Sequence, residues 1–142
     1  MSARTKARKR ALDILYAADV RQISIAQSLA NEAERAASEP SRAASWLYAR
    51  EIVDGVVDHA EEIDELITTY SQGWTLSRMP VVDRAILRIG IRWGARWVIN
   101  HAVPHAVAID EAVESAKTLS TDDSAGFING LLGRIAQTAP SS

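Results

Sequence analysis

Arginine recurs at every fourth position along one stretch of the 142-residue chain, at Arg84, Arg88, Arg92 and Arg96. Large apolar side chains alternate with these arginines at spacings of three and four residues, at Ile86, Ile89, Trp93 and Trp97. In a helix this pattern buries one face and leaves the guanidinium groups as a stripe on the exposed side. Such a stripe suits a polyanionic partner, but arginine stems also cover apolar surface and pair with acids. Both interpretations stay open on this evidence.

A second group of cations lies near the N-terminus, at Arg4, Lys6, Arg8, Lys9 and Arg10. By composition, this segment is either a solubilising tail or an arginine-rich segment that becomes ordered on RNA. The density of positive charge favours the second interpretation. We therefore predict a flexible basic arm over residues 1–10, which either continues the first helix backwards from Leu12 or frays from it.

The residue types that usually carry catalysis or hold metals have no productive spacing here. The histidines are His59, His101 and His105, and Pro104 separates the last two, which disfavours a shared helical face for a metal ion. The chain has no GxxxxGK or GxGxxG phosphate loop and no strained nucleophile turn, while helix surfaces and N-caps account for its carboxylates. We predict that the protein is not an enzyme and has no catalytic residue, cofactor or metal.

The composition is typical of a globular protein, with 47% hydrophobic residues, 24% charged residues and a net charge of -2. No apolar run approaches the ~20 residues that cross a bilayer, and the absence of cysteine excludes a disulfide framework. These features predict one domain over residues 1–142, a cytoplasmic location and no association with a membrane. The small net charge conceals segregation, because acids gather between Glu51 and Glu65 on an expected solvated helix face.

Helical spacing of apolar residues recurs along the chain, and no alternating strand pattern competes with it. The expected helices are one that begins by Leu12, one over 25–37, a long central helix over 41–70, the arginine helix from 77–80 to 99, one over 105–119, and a last helix after 120–123. Gly90 and Gly94 within the arginine helix indicate close helix contacts or a kink. We predict an all-α fold, a single compact bundle of about six or seven helices.

Three stretches of the sequence resemble the NusB family of transcription antitermination factors: RKRALDILYAAD, VVDRAILRIGI and VPHAVAIDEAVESAKTLSTDDSAGFINGLLGRI. The last stretch is the most specific. It matches the family pattern at Pro104, Val107 to Ile109, Glu111 to Glu114, Ala116, Lys117, Ser124, Phe127, Asn129 and Gly130. The resemblance implies an all-helical, non-catalytic protein, in agreement with the expectations above.

The resemblance also implies partners and contact residues. A NusB-like factor pairs with the ribosomal protein NusE, binds the single-stranded boxA segment of ribosomal RNA leaders, and joins elongating RNA polymerase. Carried over by position, the RNA-contacting residues are Arg4, Lys6 and Arg8, with Arg10 as an extra basic group, and Tyr70, Arg88, Lys117 and Asp123. The NusE-facing residues are Tyr16, Asp83 and Phe127.

The chain departs from the family pattern at Arg92, Trp93 and Gly94, where relatives usually carry Tyr-Glu-Leu. The nearby pair Trp93 and Trp97 motivates the hypothesis of a homodimer of the free protein. Two alternatives remain at this point: a helical adaptor that binds proteins and meets RNA only incidentally, and a domain of an RNA-modifying enzyme. The second is disfavoured, because we expect the helical bundle to use the whole of these 142 residues and to leave none for a methyl-donor site.

Overall fold

The structure is a computed structural model that describes residues 3–91 and 105–137. Within these ranges the chain forms α-helices joined by turns, and no residue of them lies in a β-strand. The helices are α1 (Ala3–Arg21), α2 (Ile25–Ser38), α3 (Ala43–Asp58), α4 (Ala60–Tyr70), α5 (Val81–Gly90), α6 (His105–Leu119) and α7 (Asp122–Gln137). Short 3-10 turns cover Pro40–Arg42 and Leu76–Arg78. The prediction of an all-α fold with about six or seven helices is confirmed.

Contacts along the chain define two compact units, one ending at Val57 and the other beginning at Asp58. The first unit contains α1, α2 and α3, and the second contains α4 to α7. The predicted single domain over residues 1–142 stays a prediction.

The first unit is built on the contact between α1 and α2. Helix α1 ends where Gln22 adopts a left-handed conformation, with φ 54°, and the Ile23 N–H donates to the Ala18 carbonyl at 3.1 Å. Ser24 then caps α2 by accepting from the Gln27 N–H at 3.0 Å. The buried Ser28 hydroxyl donates to the Ile14 carbonyl at 2.8 Å, so the turn and this bond together set α2 against α1.

Residues 3–10 form the first turns of α1, so the basic arm continues the helix backwards, which is one of the two arrangements that the sequence left open. The physical reason is burial: Ala7 and Ala11 are fully buried and share a helical face with Ile14 and Ala18. This packing stabilises a helix in which several like charges lie close together.

The predicted central helix over 41–70 is wrong as a single element. Residues Pro40–Arg42 form a 3-10 turn, and His59 separates α3 from α4 with φ -116° and ψ 21°. The Ile63 N–H donates to the His59 carbonyl at 2.8 Å, which starts a new helix there. Glu61 and Glu62 lie in the first turn of α4, where negative charge favours a helix N-terminus. The apolar spacing continues through the break, which is why the pattern did not reveal it.

The second unit packs α5, α6 and α7 together, with α4 against α5 and α7. A Cβ added at Gly90 would lie 3.0 Å from Leu132 Cδ1, so the close contact predicted at this glycine is confirmed. The fully buried side chains of this core include Ile63, Ile67, Leu87, Ile128, Leu131, Leu132 and Ile135. None of the helices in the described ranges is long and apolar enough to span a membrane.

The later half of the predicted arginine helix lies outside the described residues. Its described part is α5, which begins after Pro80 as the sequence predicted. The predictions for Arg92, Trp93, Gly94, Arg96 and Trp97, and the homodimer hypothesis that rests on the two tryptophans, therefore fall outside the described part of the chain.

Candidate nucleic-acid and protein interfaces

The basic residues of α1 differ in exposure. Lys6 is exposed, Arg10 is half-buried and Arg8 is buried, at 7% exposure. Arg8 shares a helix face with the buried Leu12 and Leu15, and desolvation lowers the pKa of its guanidinium from the ordinary value. The side chain of Arg4 lies outside the described residues. Of the predicted RNA contacts on this helix, Lys6 is thus the one most clearly presented to solvent.

Arg10 belongs to an ion-pair network around Glu32 on α2, called the Glu32 cluster here, whose members are Arg10, Glu32, Arg35 and Arg42. The Glu32 side chain is only 8% exposed. Its Oε1 accepts from Arg42 at 3.1 Å and from Arg10 at 3.4 Å, and its Oε2 accepts from Arg35 at 3.3 Å. Arg10 Nε also donates to Ser45 Oγ on α3 at 2.7 Å. The Glu32 cluster therefore joins α1, α2, the 3-10 turn and α3.

Sequence reasoning missed Glu32. The buried residues of α2 are Ser28, Glu32 and Ala36, which recur every fourth position on the face turned to α1. This spacing was the available signal, because an acid on an inward stripe requires buried partners. Asp13 lies nearby on α1, and desolvation, with the charge of Glu32, raises the pKa of its carboxyl against the opposing effect of the arginines.

In the second unit, the predicted RNA contact Arg88 forms an ion pair with Asp64 of α4. Arg88 Nε donates to Asp64 Oδ1 at 3.0 Å, and its terminal nitrogen Nη2 donates to Oδ2 at 3.2 Å. The two side chains are 26% and 38% exposed, so the pair lies at the surface. Two parallel bonds of this kind are the geometry with which guanidinium groups also bind phosphate.

Tyr70 is the last residue of α4 and is half-buried. Its backbone carbonyl is bound by Arg134, which lines a surface cavity. Arg134 of α7 donates two hydrogen bonds to the Tyr70 carbonyl, at 3.0 and 3.3 Å. The cavity has a volume of about 330 Å³ and is lined by Ser71, Gln72, Trp74, Gly126, Phe127, Gly130 and Arg134. The structure thus brings the predicted partner residue Phe127 close to the end of the helix that carries Tyr70.

Phe127 contacts Trp74 edge to face, with ring centroids 4.7 Å apart and an interplanar angle of 83°. A Cβ at Gly126 would meet no atom within 4 Å, and one at Gly130 would approach only the Arg134 Nη1, at 3.3 Å. Internal packing around these two positions therefore leaves room for a side chain. Because Gly126 and Gly130 have no side chains, the surface of α7 beside the two aromatic rings is uncovered.

Asp83 is completely buried, unlike Tyr16, which is 44% exposed. Its Oδ2 accepts from the Ser124 hydroxyl of α7 at 2.7 Å. Ser120 and Thr121 in turn donate to Ser124 Oγ, each at 3.1 Å. In this structure the Asp83 side chain is not accessible to a partner. From its buried position it instead holds Ser124, and with it the connection between α6 and α7.

Lys117 and Asp123 flank that same connection and are both exposed. Lys117 lies in the last turn of α6 and Asp123 in the first turn of α7, where each charge also suits its helix end. Within the described ranges, no three histidine or carboxylate side chains gather as a metal site. Apart from the buried Arg8 and Asp83, the candidate contacts whose side chains are described are cations, aromatic rings and one acid on helix surfaces, an arrangement better suited to a macromolecular partner than to catalysis.

These features define a small protein that is helical throughout its described ranges and carries cations and aromatic rings on its helix surfaces. The NusB family model matches residues 5–137, and the chain belongs to the NusB family. The family resemblance seen in the sequence is confirmed.

Curated relatives are similar over nearly the whole chain. The transcription antitermination protein NusB of Leifsonia xyli subsp. xyli (strain CTCB07) is 72% identical over 140 residues, which cover 99% of this chain and 95% of the relative. The protein of the same name from Clavibacter michiganensis subsp. michiganensis (strain NCPPB 382) is 65% identical over 138 residues, 97% of this chain and 98% of that one.

Solved structures share the fold. T. maritima NusB is 28% identical with a TM-score of 0.81, covering 99% of this chain and 95% of that one. A structure of the antitermination factors NusB and NusE in complex with double-stranded RNA contains a chain that is 25% identical, with a TM-score of 0.78 and coverage of 96% and 98%.

Proposed function

We propose that this transcription antitermination factor binds boxA RNA of ribosomal RNA leaders together with NusE and joins elongating RNA polymerase. The observation that carries the proposal is the 72% identity, over 99% of the chain, with a protein named for transcription antitermination. The solved complex of a similar chain with NusE and RNA supports both partners. We infer a binding role without catalysis.

The proposed RNA contacts lie in both of the two units and are of two kinds, to phosphates and to bases. Exposed Lys6 and Lys117, half-buried Arg10 and Arg88, and Arg4 supply positive charge, while the Tyr70 ring stacks on an unpaired base. Asp123 accepts from a base amino group or orients the α6–α7 connection. Arg8 supports the surface by fixing the start of α1 from its buried position.

The proposed NusE contacts are Tyr16 in the first unit and Phe127 in the second. Phe127 with Trp74 forms the wall of an open cavity that accepts an apolar group of the partner. Asp83 contributes as a positioning residue, because it holds Ser124 at the start of the helix that carries Phe127.

The experiment is a comparison of two single-stranded RNAs of equal length, one with a boxA sequence and one scrambled, each titrated with and without NusE. We expect tighter binding of boxA and a further gain in affinity with NusE. Binding of both RNAs should weaken with salt, at a logarithmic slope of about -0.7 per phosphate neutralised. Equal affinity for the two RNAs in the presence of NusE would contradict the proposal and favour the protein-binding adaptor.

The adaptor alternative has one structural observation in its favour. Arg10, Arg35 and Arg42 already share the Glu32 carboxylate, so the basic residues of this region are partly neutralised within the protein. Retained NusE binding together with equal binding of both RNAs would establish that alternative.

A further inference from the structure

We propose that Asp64 occupies the phosphate-binding position of Arg88 in the free protein and is displaced by an RNA phosphate, so that Asp64 lowers the affinity for RNA. The inference rests on the proposed function, because it assumes that Arg88 contacts RNA. It adds a residue outside the expected contact set, and that residue acts against binding.

The geometry of the pair supports the exchange. Both carboxylate oxygens of Asp64 accept from Arg88, at 3.0 Å from Nε and 3.2 Å from Nη2. A phosphate offers two oxygens in the same fork arrangement and competes for the same two donors. An RNA phosphate therefore cannot take the paired contact with these nitrogens while Asp64 keeps it.

The exposure of the pair makes the exchange feasible. Asp64 is 38% exposed and Arg88 is 26% exposed, so water reaches both groups and replaces their lost contacts. Ion pairs with this exposure are weak, and a carboxylate released from one is rehydrated. Glu32 is the opposite case, since only 8% of its side chain is exposed and three arginines surround it.

The surroundings of Asp64 raise the cost of bringing in a phosphate. Glu61, Glu62 and Glu65 lie on the same helix, within four residues of Asp64. Once displaced, the Asp64 carboxylate stays near the incoming phosphate and repels it. Removing the charge of Asp64 thus releases Arg88 and removes the repulsion, and both effects favour RNA.

The test uses the full chain with NusE and a boxA RNA, at one fixed salt concentration. Asp64→Asn keeps the size of the side chain and removes its charge, and we expect it to tighten RNA binding about five-fold. Glu65→Gln is the matched control, because it makes the same charge change at the neighbouring exposed position, which has no ion pair within the described part of the chain. It should tighten binding less than about two-fold.

A double-mutant cycle with Arg88→Ala completes the test. If Asp64 acts mainly through Arg88, Asp64→Asn in the Arg88→Ala background should tighten binding no more than Glu65→Gln does, because only the direct charge repulsion is left to remove. Weaker binding by Asp64→Asn, or a gain equal to that of Glu65→Gln, would overturn the inference and make Asp64 a structural support of Arg88. In that event, boxA binding by the unaltered chain would leave the proposed function intact. Failure of the unaltered chain to bind boxA RNA would refute both.

Discussion

Glu32 and Asp64 are both carboxylates that bind arginine from another helix, and they differ mainly in burial. Glu32 lies in the first unit, has an 8% exposed side chain and accepts from three arginines. Asp64 lies in the second unit, is 38% exposed and accepts from Arg88. The same chemistry therefore serves a fixed structural link in one region and an exchangeable surface contact in the other.

The physical basis of this difference is desolvation. A buried carboxylate has exchanged its hydration water for bonds to arginines. When the carboxylate is removed, water only partly restores the hydrogen bonds that those arginines lose. A half-exposed pair gains little from its own attraction, because solvent screens the charges and competes for the hydrogen bonds. Burial, more than the number of hydrogen bonds, should decide what each carboxylate contributes.

The largest effect is expected from Glu32→Ala. This change removes the buried carboxylate that Arg10 and Arg42 share, although Arg42 keeps its ion pair with Glu39 and Arg10 its hydrogen bond to Ser45. The free energy of unfolding should fall by about 2 kcal/mol. Urea denaturation followed by circular dichroism measures the change. Glu34→Ala on the exposed side of the same helix is the control, with an expected change below about 0.5 kcal/mol. Similar losses of stability in the two variants would contradict the role of Glu32 as a buried structural link.

A smaller effect is expected from Asp64→Ala. Because its ion pair with Arg88 is exposed, the free energy of unfolding should fall by less than about 1 kcal/mol, and less still at high salt. The same denaturation measured at low and high salt concentration tests this. A loss as large as that of Glu32→Ala would show that Asp64 is a structural link and not an exchangeable one.

The smallest effect concerns Asp13 at the edge of the Glu32 cluster. Its carboxyl pKa is raised in the folded protein, so its contribution to stability is present below about pH 3.8 and is lost as the pH rises through the folded pKa. At neutral pH the charged group is therefore slightly unfavourable. Asp13→Asn should raise the thermal midpoint modestly near pH 7 and less near pH 4. A lower midpoint near pH 7 would be the contrary result.

The sequence predicted some elements well. Apolar residues at helical spacing located α2, α6 and α7, and Pro80 marked the start of α5. The break at His59 was not predictable from that spacing, because α4 resumes with buried apolar residues in nearly the same register as α3. The start of α1 at Ala3 was left open by the sequence, since the charge density of the segment obscured the buried alanines on its inner face.

The candidate site was predictable as a set of residue types, through the family motif. The structure shows that these residues differ in solvent exposure. Lys6, Lys117 and Asp123 are exposed, whereas Arg8 and Asp83 are buried. A position in a motif shows which residue is present, but not whether its side chain faces solvent.

The amino-acid sequence by itself determined the helical class of this protein, its membership of the NusB family and the presence of concentrated positive charge. Only the tertiary structure decided which arginines are already paired and how deeply. That depends on which helix faces meet, as α2 meets α1 at Glu32 and α4 meets α5 at Asp64. Local propensity and spacing set the helices, but partners distant in sequence set the dielectric environment, which governs the energy of each charge.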